Sequence, residues 1–320
     1  MRDLVRLSFR WRCLAALFAV GALVATTPAT EPLQPFSVDT LGDGVHLYRP
    51  SNESPDAVNS LVVERNDGVL VVTAQPTPEA ARKLLAAIDA RLSKPVRYLV
   101  LPHSHADTVG GASAFPESVL VIGSLSCRDA LADADYDFGA EARARSADPA
   151  AWGEPPRRLP VLLLEARSTL DDERNPVELL PFGNSHSPGD LLVRVPGHDV
   201  FFLGGLIFPD GRPYAGDSQI SSWMSALNHF VRQAPRVMVP LRGPVIGVAE
   251  LREQRNALAW LRGQVEYGLS ERWAHEEIRE RILAMPEIEG RFATDSPFLG
   301  PFIDRAVQQA VADRIKLAGG

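Results

Sequence analysis

Apolar and polar positions along this chain fall into short apolar runs, punctuated by turn residues, that read as strands with helices set between them. Val45-His-Leu-Tyr48 reads as a short strand. Asn59 to Glu64 and Val69 to Thr73 are two further runs joined by Asn66-Asp67-Gly68, which predicts a hairpin. Thr77-Pro78 opens a helix whose Ala81, Leu84, Leu85 and Ile88 share one face. Val96 to Leu101 is the next strand, Val119 to Ile122 another, and Leu125 to Ala132 a helix. Residues 134–158 are rich in Ala, Asp, Arg and Pro and read as a surface insertion. Strand signals return at Val161 to Leu164 and Val177 to Leu180. A second hairpin runs from Leu191 to Val195, turns at Pro196-Gly197-His198 and returns through Val200 to Leu203. A helix over Ser221 to Val231 and a strand over Arg236 to Val239 follow. From Val248 onward the pattern is helical, broken near Pro286 and Pro297. Hairpins of strands with helices between and after them predict an α/β sandwich with its helices outside.

The first 29 residues stand apart from that pattern. Arg2, Arg6, Arg10 and Arg12 precede an apolar stretch from Cys13 to Ala25, followed by small residues and Pro28. This is the layout of a secretory signal peptide, and it predicts a periplasmic or secreted protein with no stable membrane span after cleavage, an uncleaved N-terminal anchor being the alternative. Its removal takes away four arginines and Asp3, so the net charge moves from −7 to −10. A mildly acidic chain without a basic stripe is a poor nucleic-acid binder. Of the two cysteines only Cys127 then remains, so no intramolecular disulfide is available and the fold rests on its core. At 320 residues and 45% hydrophobic composition, that core is sizeable. Cys127 reads as a small core residue rather than a nucleophile.

The chemistry concentrates in one loop. The strand at 96–101 ends in His103-Ser-His105-Ala-Asp107-Thr108, and imidazole and carboxylate are both ligands for zinc. Three more glycine-rich or polar loops follow strands. They are Asn184-Ser-His186-Ser-Pro-Gly-Asp190, Leu203-Gly-Gly205-Leu-Ile-Phe208 and Val239-Pro-Leu-Arg242-Gly-Pro-Val245. Their order and spacing resemble the metallo-β-lactamase superfamily, especially its secreted glyoxalase-II-like zinc hydrolases. The resemblance covers roughly Phe36 to Val248. It implies an αββα sandwich over residues 30–248, with residues 249–320 as a C-terminal helical segment packed on the same domain.

The resemblance also implies a site that has changed. His103, His105 and His186 stand where the family holds its first zinc. The family's usual histidine after the aspartate is Thr108 here. Its bridging aspartate aligns with Gly205, its last histidine with Arg242, and its buried aspartate closing the first hairpin with Thr73. These altered positions imply at most one zinc. On that reading the protein hydrolyses an ester, thioester or amide of a small-molecule substrate by zinc-bound water, with Asp107 as the catalytic carboxylate. Asp107 is alternatively a buried structural carboxylate, and Arg242 either anchors a substrate or another anion or pairs with Asp107. The competing reading is a pseudoenzyme whose emptied cleft binds an anionic ligand or a periplasmic protein partner, and β-lactam hydrolysis is a poorer third. Asp190 reads as a turn-stabilising residue and Asp217 as a loop or helix-start residue. Gly110 and Gly111 read as residues that let the loop turn. His46, His198, His229 and His275 read as ordinary packing or surface histidines.

Overall fold

Two β-sheets stack face to face and helices cover both outer faces. The computed structural model describes residues 35–51, 58–145, 156–214 and 216–318. The signal-peptide reading of residues 1–29 lies outside them. No helix among the described residues is long and apolar enough to cross a membrane.

The first sheet has seven strands in sequence order: β1 (Phe36–Gly42), β2 (Val45–Pro50), β3 (Ser60–Arg65), β4 (Gly68–Val72), β5 (Val96–Val100), β6 (Leu120–Ser124) and β7 (Leu162–Leu164). Pairing is antiparallel through β4 and parallel from β4 to β7. The second sheet runs β12 (Val237–Pro240), β11 (Val200–Gly204), β10 (Asp190–Val195), β9 (Val177–Gly183) and β8 (Ser168–Leu170). Successive strand residues point to opposite faces, and here both faces are apolar. Leu61, Val63, Leu70, Val72 and Val100 turn inward onto Leu179, Leu191, Val193 and Phe202 of the second sheet. Val62, Val69, Val71 and Leu99 turn outward, onto α1 (Pro78–Asp89) and α3 (Leu125–Ala132). Thr77 caps α1 by accepting the Ala80 N–H at 3.2 Å, and Ser124 caps α3 by accepting that of Cys127 at 3.1 Å. Cys127 is fully buried, and burial pushes its thiol up to about 12, so it is an inert core residue.

The outer face of the second sheet is covered by α5 (Ile220–Gln233), α6 (Val248–Ser270), α7 (His275–Leu283) and α8 (Leu299–Ala318). Phe201 and Leu203 of β11 share one core with Trp223, Leu258, Ile278 and Phe302 of those helices. The helical run after Val248 is also interrupted at 271–274, where Arg272 takes a left-handed backbone (φ 60°) and the Trp273 N–H donates to the Gly268 carbonyl.

One expectation is corrected. Residues 134–158 are not simply a surface insertion. Ala140–Arg145 forms a short helix, α4, whose Glu141 and Ala142 are buried at 2% and 1% exposure. The charged composition suggested solvent, but Glu141 is neutralised inside the protein by arginines. Residues 146–155 lie outside the described residues. The edge strands β1 and β8 also carried too little apolar pattern to be anticipated.

Candidate metal centre

The loops that follow β5, β9, β11 and β12 meet at one edge of the sandwich, sewn together by backbone hydrogen bonds. Leu191 N–H donates to the Pro102 carbonyl, Gln219 N–H to Ser185, Leu241 N–H to Gly204 and Ala106 N–H to Phe138. The chain bends after β5 and is extended again at His105, which brings the His103 and His105 ring centroids to 4.8 Å from one another. It then turns into a single helical turn, α2 (Ala106–Val109). Thr108 Oγ1 lies 3.1 and 3.0 Å from the carbonyls of His103 and His105 and donates to them, holding the loop from within. A Cβ at Gly111 would meet the Ala74 carbonyl at 2.2 Å, so that glycine answers a close backbone approach.

His186 is placed by its own loop. Asp190 accepts the backbone N–H groups of Ser185, His186 and Ser187 and the Ser187 hydroxyl, which confirms it as a turn-stabilising carboxylate. The imidazole packs against Trp223, with ring centroids 5.5 Å apart, and against the Cα of Gly205. A Cβ at Gly205 would sit 2.3 Å from His186 Cδ2. The glycine in the bridging position therefore makes room for the ring.

The three rings stand nearly perpendicular to one another, with centroids 4.8, 4.9 and 5.0 Å apart. One nitrogen from each lies within 4.8 Å of the others, and all three residues are buried. His103 Nε2, His105 Nδ1 and both nitrogens of His186 have no hydrogen-bond partner, nor do Asp107 Oδ1 and Glu141 Oε2. Buried polar atoms are normally paired. Orphaned lone-pair atoms gathered at one point fit a cation, so the residues suit a bound metal ion. Asp217 supports that fit, because its Oδ1 sits 3.1 Å from His105 Nε2. It holds a proton on Nε2 and leaves Nδ1 to face the centre, as a carboxylate behind a metal-binding histidine does. Asp217 is thus more than the loop or helix-start residue expected. Tyr136 donates to its other oxygen at 2.8 Å and touches Ser104 at 2.8 Å.

Glu141 was not foreseen at all. Its Oε1 accepts from Arg145 Nε at 2.9 Å and lies 3.8 Å from Arg242 Nη1. Its Oε2 lies 3.0 Å from His105 Nδ1 and 3.8 Å from His186 Nε2. The i,i+4 spacing of Glu141 and Arg145 hinted at a helix, but nothing in the sequence signals its burial. Arg242 Nη2 donates to Asp107 Oδ2 at 2.6 Å, which forms the ion pair named as one of its two expected roles.

Charge is balanced within the site. Burial disfavours ionised Asp107, Glu141 and Asp217, yet Arg242, Arg145 and His105 respectively hold their carboxyls far below the usual range. Burial likewise opposes a charged His105, but Asp217 and Glu141 outweigh it and keep the metal-free ring protonated well above the ordinary value. His186 goes the other way, down to about 3, through burial and the neighbouring His103 and His105. Its imidazole is therefore neutral, with a lone pair available to a metal ion. Tyr136 and Tyr214 are raised by burial and nearby carboxylates and stay protonated. Thr73 keeps a left-handed backbone (φ 77°) and donates to the Asn59 carbonyl at 3.0 Å. Gln75 donates to Ser60, which leaves the Ser60 hydroxyl to donate to Thr73. His46, His198, His229 and His275 contact other groups outside the centre.

Residues 54–241, well over half of the chain, match the family described as the metallo-beta-lactamase superfamily. Among solved structures, a metallo-beta-lactamase from Pontibacter korlensis superimposes with a TM-score of 0.57 at 20% identity, over 70% of this chain and 99% of its own. The mono-zinc form of the metallo-beta-lactamase FIM-1 from Pseudomonas aeruginosa gives 0.53 at 17%, over 68% and 92%. A double mutant of the sec-alkyl sulfatase PisA1 gives 0.67 at 18%, over 86% of this chain and 50% of its own, so the chain spans half the length of that enzyme. The four layers, the loops converging at one sheet edge and the matched segment agree, and the chain belongs to the metallo-beta-lactamase superfamily.

Proposed function

We propose that this protein is a divergent hydrolase of the superfamily's secreted, glyoxalase-II-like type, built around a single zinc ion held by His103, His105 and His186. The observation that carries the reading is the set of buried imidazole nitrogens without partners, aimed at one point. Zinc bound there supplies Lewis acidity and lowers the pKa of water towards about 7, which serves hydrolysis of an ester, thioester or amide. The chain's own groups do the rest. Asp217 fixes the His105 tautomer, and Tyr136 fixes Asp217. Asp107 keeps one carboxylate oxygen on Arg242 and leaves Oδ1 unpartnered, 3.6 Å from His103 Nε2, as a proton acceptor facing the centre. Arg242 places a fixed cation where a second metal would sit, which supports a one-ion centre.

A cavity of about 20 Å³ beside the centre, lined by Glu141, His186, Gly205 and Arg242 among others, has room for about one water molecule. It shares Phe208, Pro209 and Asp210 with a groove of about 720 Å³ that also carries Glu250, Glu253, Glu289 and Arg291. That acidic lining favours neutral or cationic substrates approaching from the groove. The Arg242–Asp107 pair and the internally balanced charges favour a second reading, a pseudoenzyme that uses the old cleft to bind a ligand or a periplasmic partner.

Metal stoichiometry by plasma mass spectrometry on untagged protein separates the two. About one zinc per chain, lost in His103→Ala, is the expected result. Hydrolysis should then be screened on thioesters, carboxylic esters, a chromogenic β-lactam and sec-alkyl sulfates, the last because of the structural likeness to an alkyl sulfatase. Folded protein that takes up no zinc, or hydrolysis unchanged in His105→Ala, defeats the lead reading.

A further inference from the structure

The sandwich supplies three ligands from loops at its strand ends, and α4 brings a fourth candidate from above them. We propose that Glu141 is a protein ligand to the same ion as His103, His105 and His186, so that the chain closes its own metal centre. This rests on the one-ion reading.

The geometry is the argument. Four ligand atoms about 2.0–2.2 Å from a tetrahedral ion lie about 3.3–3.6 Å from one another. Glu141 Oε2 is 3.0 Å from His105 Nδ1 and 3.8 Å from His186 Nε2, which brackets that separation. Without metal the short contact to His105 is an ion pair, formed by the same two atoms that an ion would bridge. The carboxylate is also held in a ligating posture. Oε1 accepts from Arg145, and Arg145 donates in turn to the Arg212 carbonyl at 3.1 Å and lies over the Phe298 ring at 4.6 Å. One oxygen is thus anchored on Arg145 and the other faces the imidazoles of His105 and His186, inside a helix that is itself packed on the loop bearing two of the histidines.

A consequence for chemistry follows. Catalytic zinc keeps an open position for water or substrate, whereas sites with four protein ligands are closed. The fourth position here is filled from within the chain, and the remaining space admits about one water. Hydrolysis at such a centre would require the Glu141 carboxylate to leave room for a substrate. The C-terminal helices brace the residues around the centre. Phe298, at the foot of α8, supports Arg145, while Arg305 and Gln309 of α8 donate to the Ser218 carbonyl beside Asp217.

The test is the coordination of cobalt(II) and zinc in the full chain, read spectroscopically. Zinc-edge absorption should show three imidazole nitrogens and one carboxylate oxygen. The visible spectrum of the cobalt(II) protein should not move when azide is added, because no position is open. In Glu141→Ala the cobalt(II) spectrum should shift with azide, and Glu141→Gln, which conserves shape, should bind zinc about 10–100-fold more weakly. A wild-type spectrum that shifts with azide overturns the proposal, and this readout requires no variant. Unchanged zinc affinity in a folded Glu141→Gln protein overturns it too. Should wild type bind cobalt, lose it in His186→Ala and ignore Glu141, only the fourth ligand falls. Should wild type bind no metal, the one-ion reading falls first.

Discussion

Replacing Arg242 by Met tests how the chain accommodates the position where the family resemblance expects a second-metal histidine. Asp107 is fully buried and Arg242 has a 15% exposed side chain, with 2.6 Å between Nη2 and Oδ2. Two unit charges about 4 Å apart interact by about 4 kcal/mol at an effective dielectric of about 20. Removing one partner of such a pair strands the other, typically at about 3–5 kcal/mol. The carboxylate of Asp107 is held far below the usual range by that guanidinium, against the push of burial and of Glu141. Without the guanidinium it takes up a proton more readily, which caps the loss near the lower end of the range. Denaturant unfolding of the metal-free protein at about neutral pH should therefore show about 3 kcal/mol of destabilisation for Arg242→Met. The double variant Asp107→Asn with Arg242→Met removes both charges and should recover much of it. The double-mutant cycle should give a coupling of about 2 kcal/mol or more. A single-variant loss below about 1 kcal/mol, or a coupling near zero, would show that the pair is incidental and that the buried carboxylate is balanced by something else.

Three other outcomes follow from the same geometry. Asp217→Asn keeps an acceptor near His105 Nε2 but removes its charge, so zinc affinity measured against a chromophoric chelator should fall about 10–100-fold; affinity within twofold of wild type refutes the supporting role. Gly205→Ala places a Cβ 2.3 Å from His186, so the ring must turn and zinc should be lost from a folded chain, while Gly197→Ala, with nothing within 4 Å, retains it. The metal-free protein has a pH window whose two edges have opposite causes. His105 has a raised folded value, so its contribution is complete below the unfolded value of 6.5 and disappears as pH rises through the folded one. Asp107, Glu141 and Asp217 have depressed values, so theirs holds above the usual carboxylate range and disappears as pH falls through the folded ones. Unfolding free energies should thus decline on the alkaline side without metal and flatten there with zinc, whose binding removes the His105 proton. A flat alkaline limb in the metal-free protein sinks this account.

The layers were legible because both faces of the central strands are apolar and the turns carry strong local signals. Asn66-Asp67 joins β3 to β4 where expected, and Thr77-Pro78 starts α1 at Pro78. The three histidines were legible because they occupy short loops immediately after strands, where neighbours in sequence fix the direction of the side chain. Glu141 and Asp217 were not, and for one reason. Each reaches the centre through a long-range contact, 36 residues from His105 for Glu141 and 112 for Asp217. Their burial depends on partners, Arg145 in one case and Tyr136 in the other, that local composition cannot reveal. A glutamate in an Ala- and Arg-rich segment looks solvated until the tertiary fold supplies the cations that make its burial tolerable.

The altered positions also depend on one another, which argues against piecemeal decay of a two-metal site. A side chain at 205 would collide with His186 in its present rotamer, so the glycine and the histidine's placement are a single arrangement. A second dication would neutralise Asp107; Arg242 does so instead, and its Nη1 also approaches Glu141. A histidine at 108 would remove the hydroxyl that donates to the carbonyls of His103 and His105 and so loosen the loop on which two ligands ride. Restoring any one of these residues alone is therefore expected to damage the remaining three-histidine centre before it builds another. Gly205→Asp is the sharpest instance. Its carboxylate would need the space His186 fills, so the added side chain should abolish metal uptake by the three histidines rather than recruit a second ion.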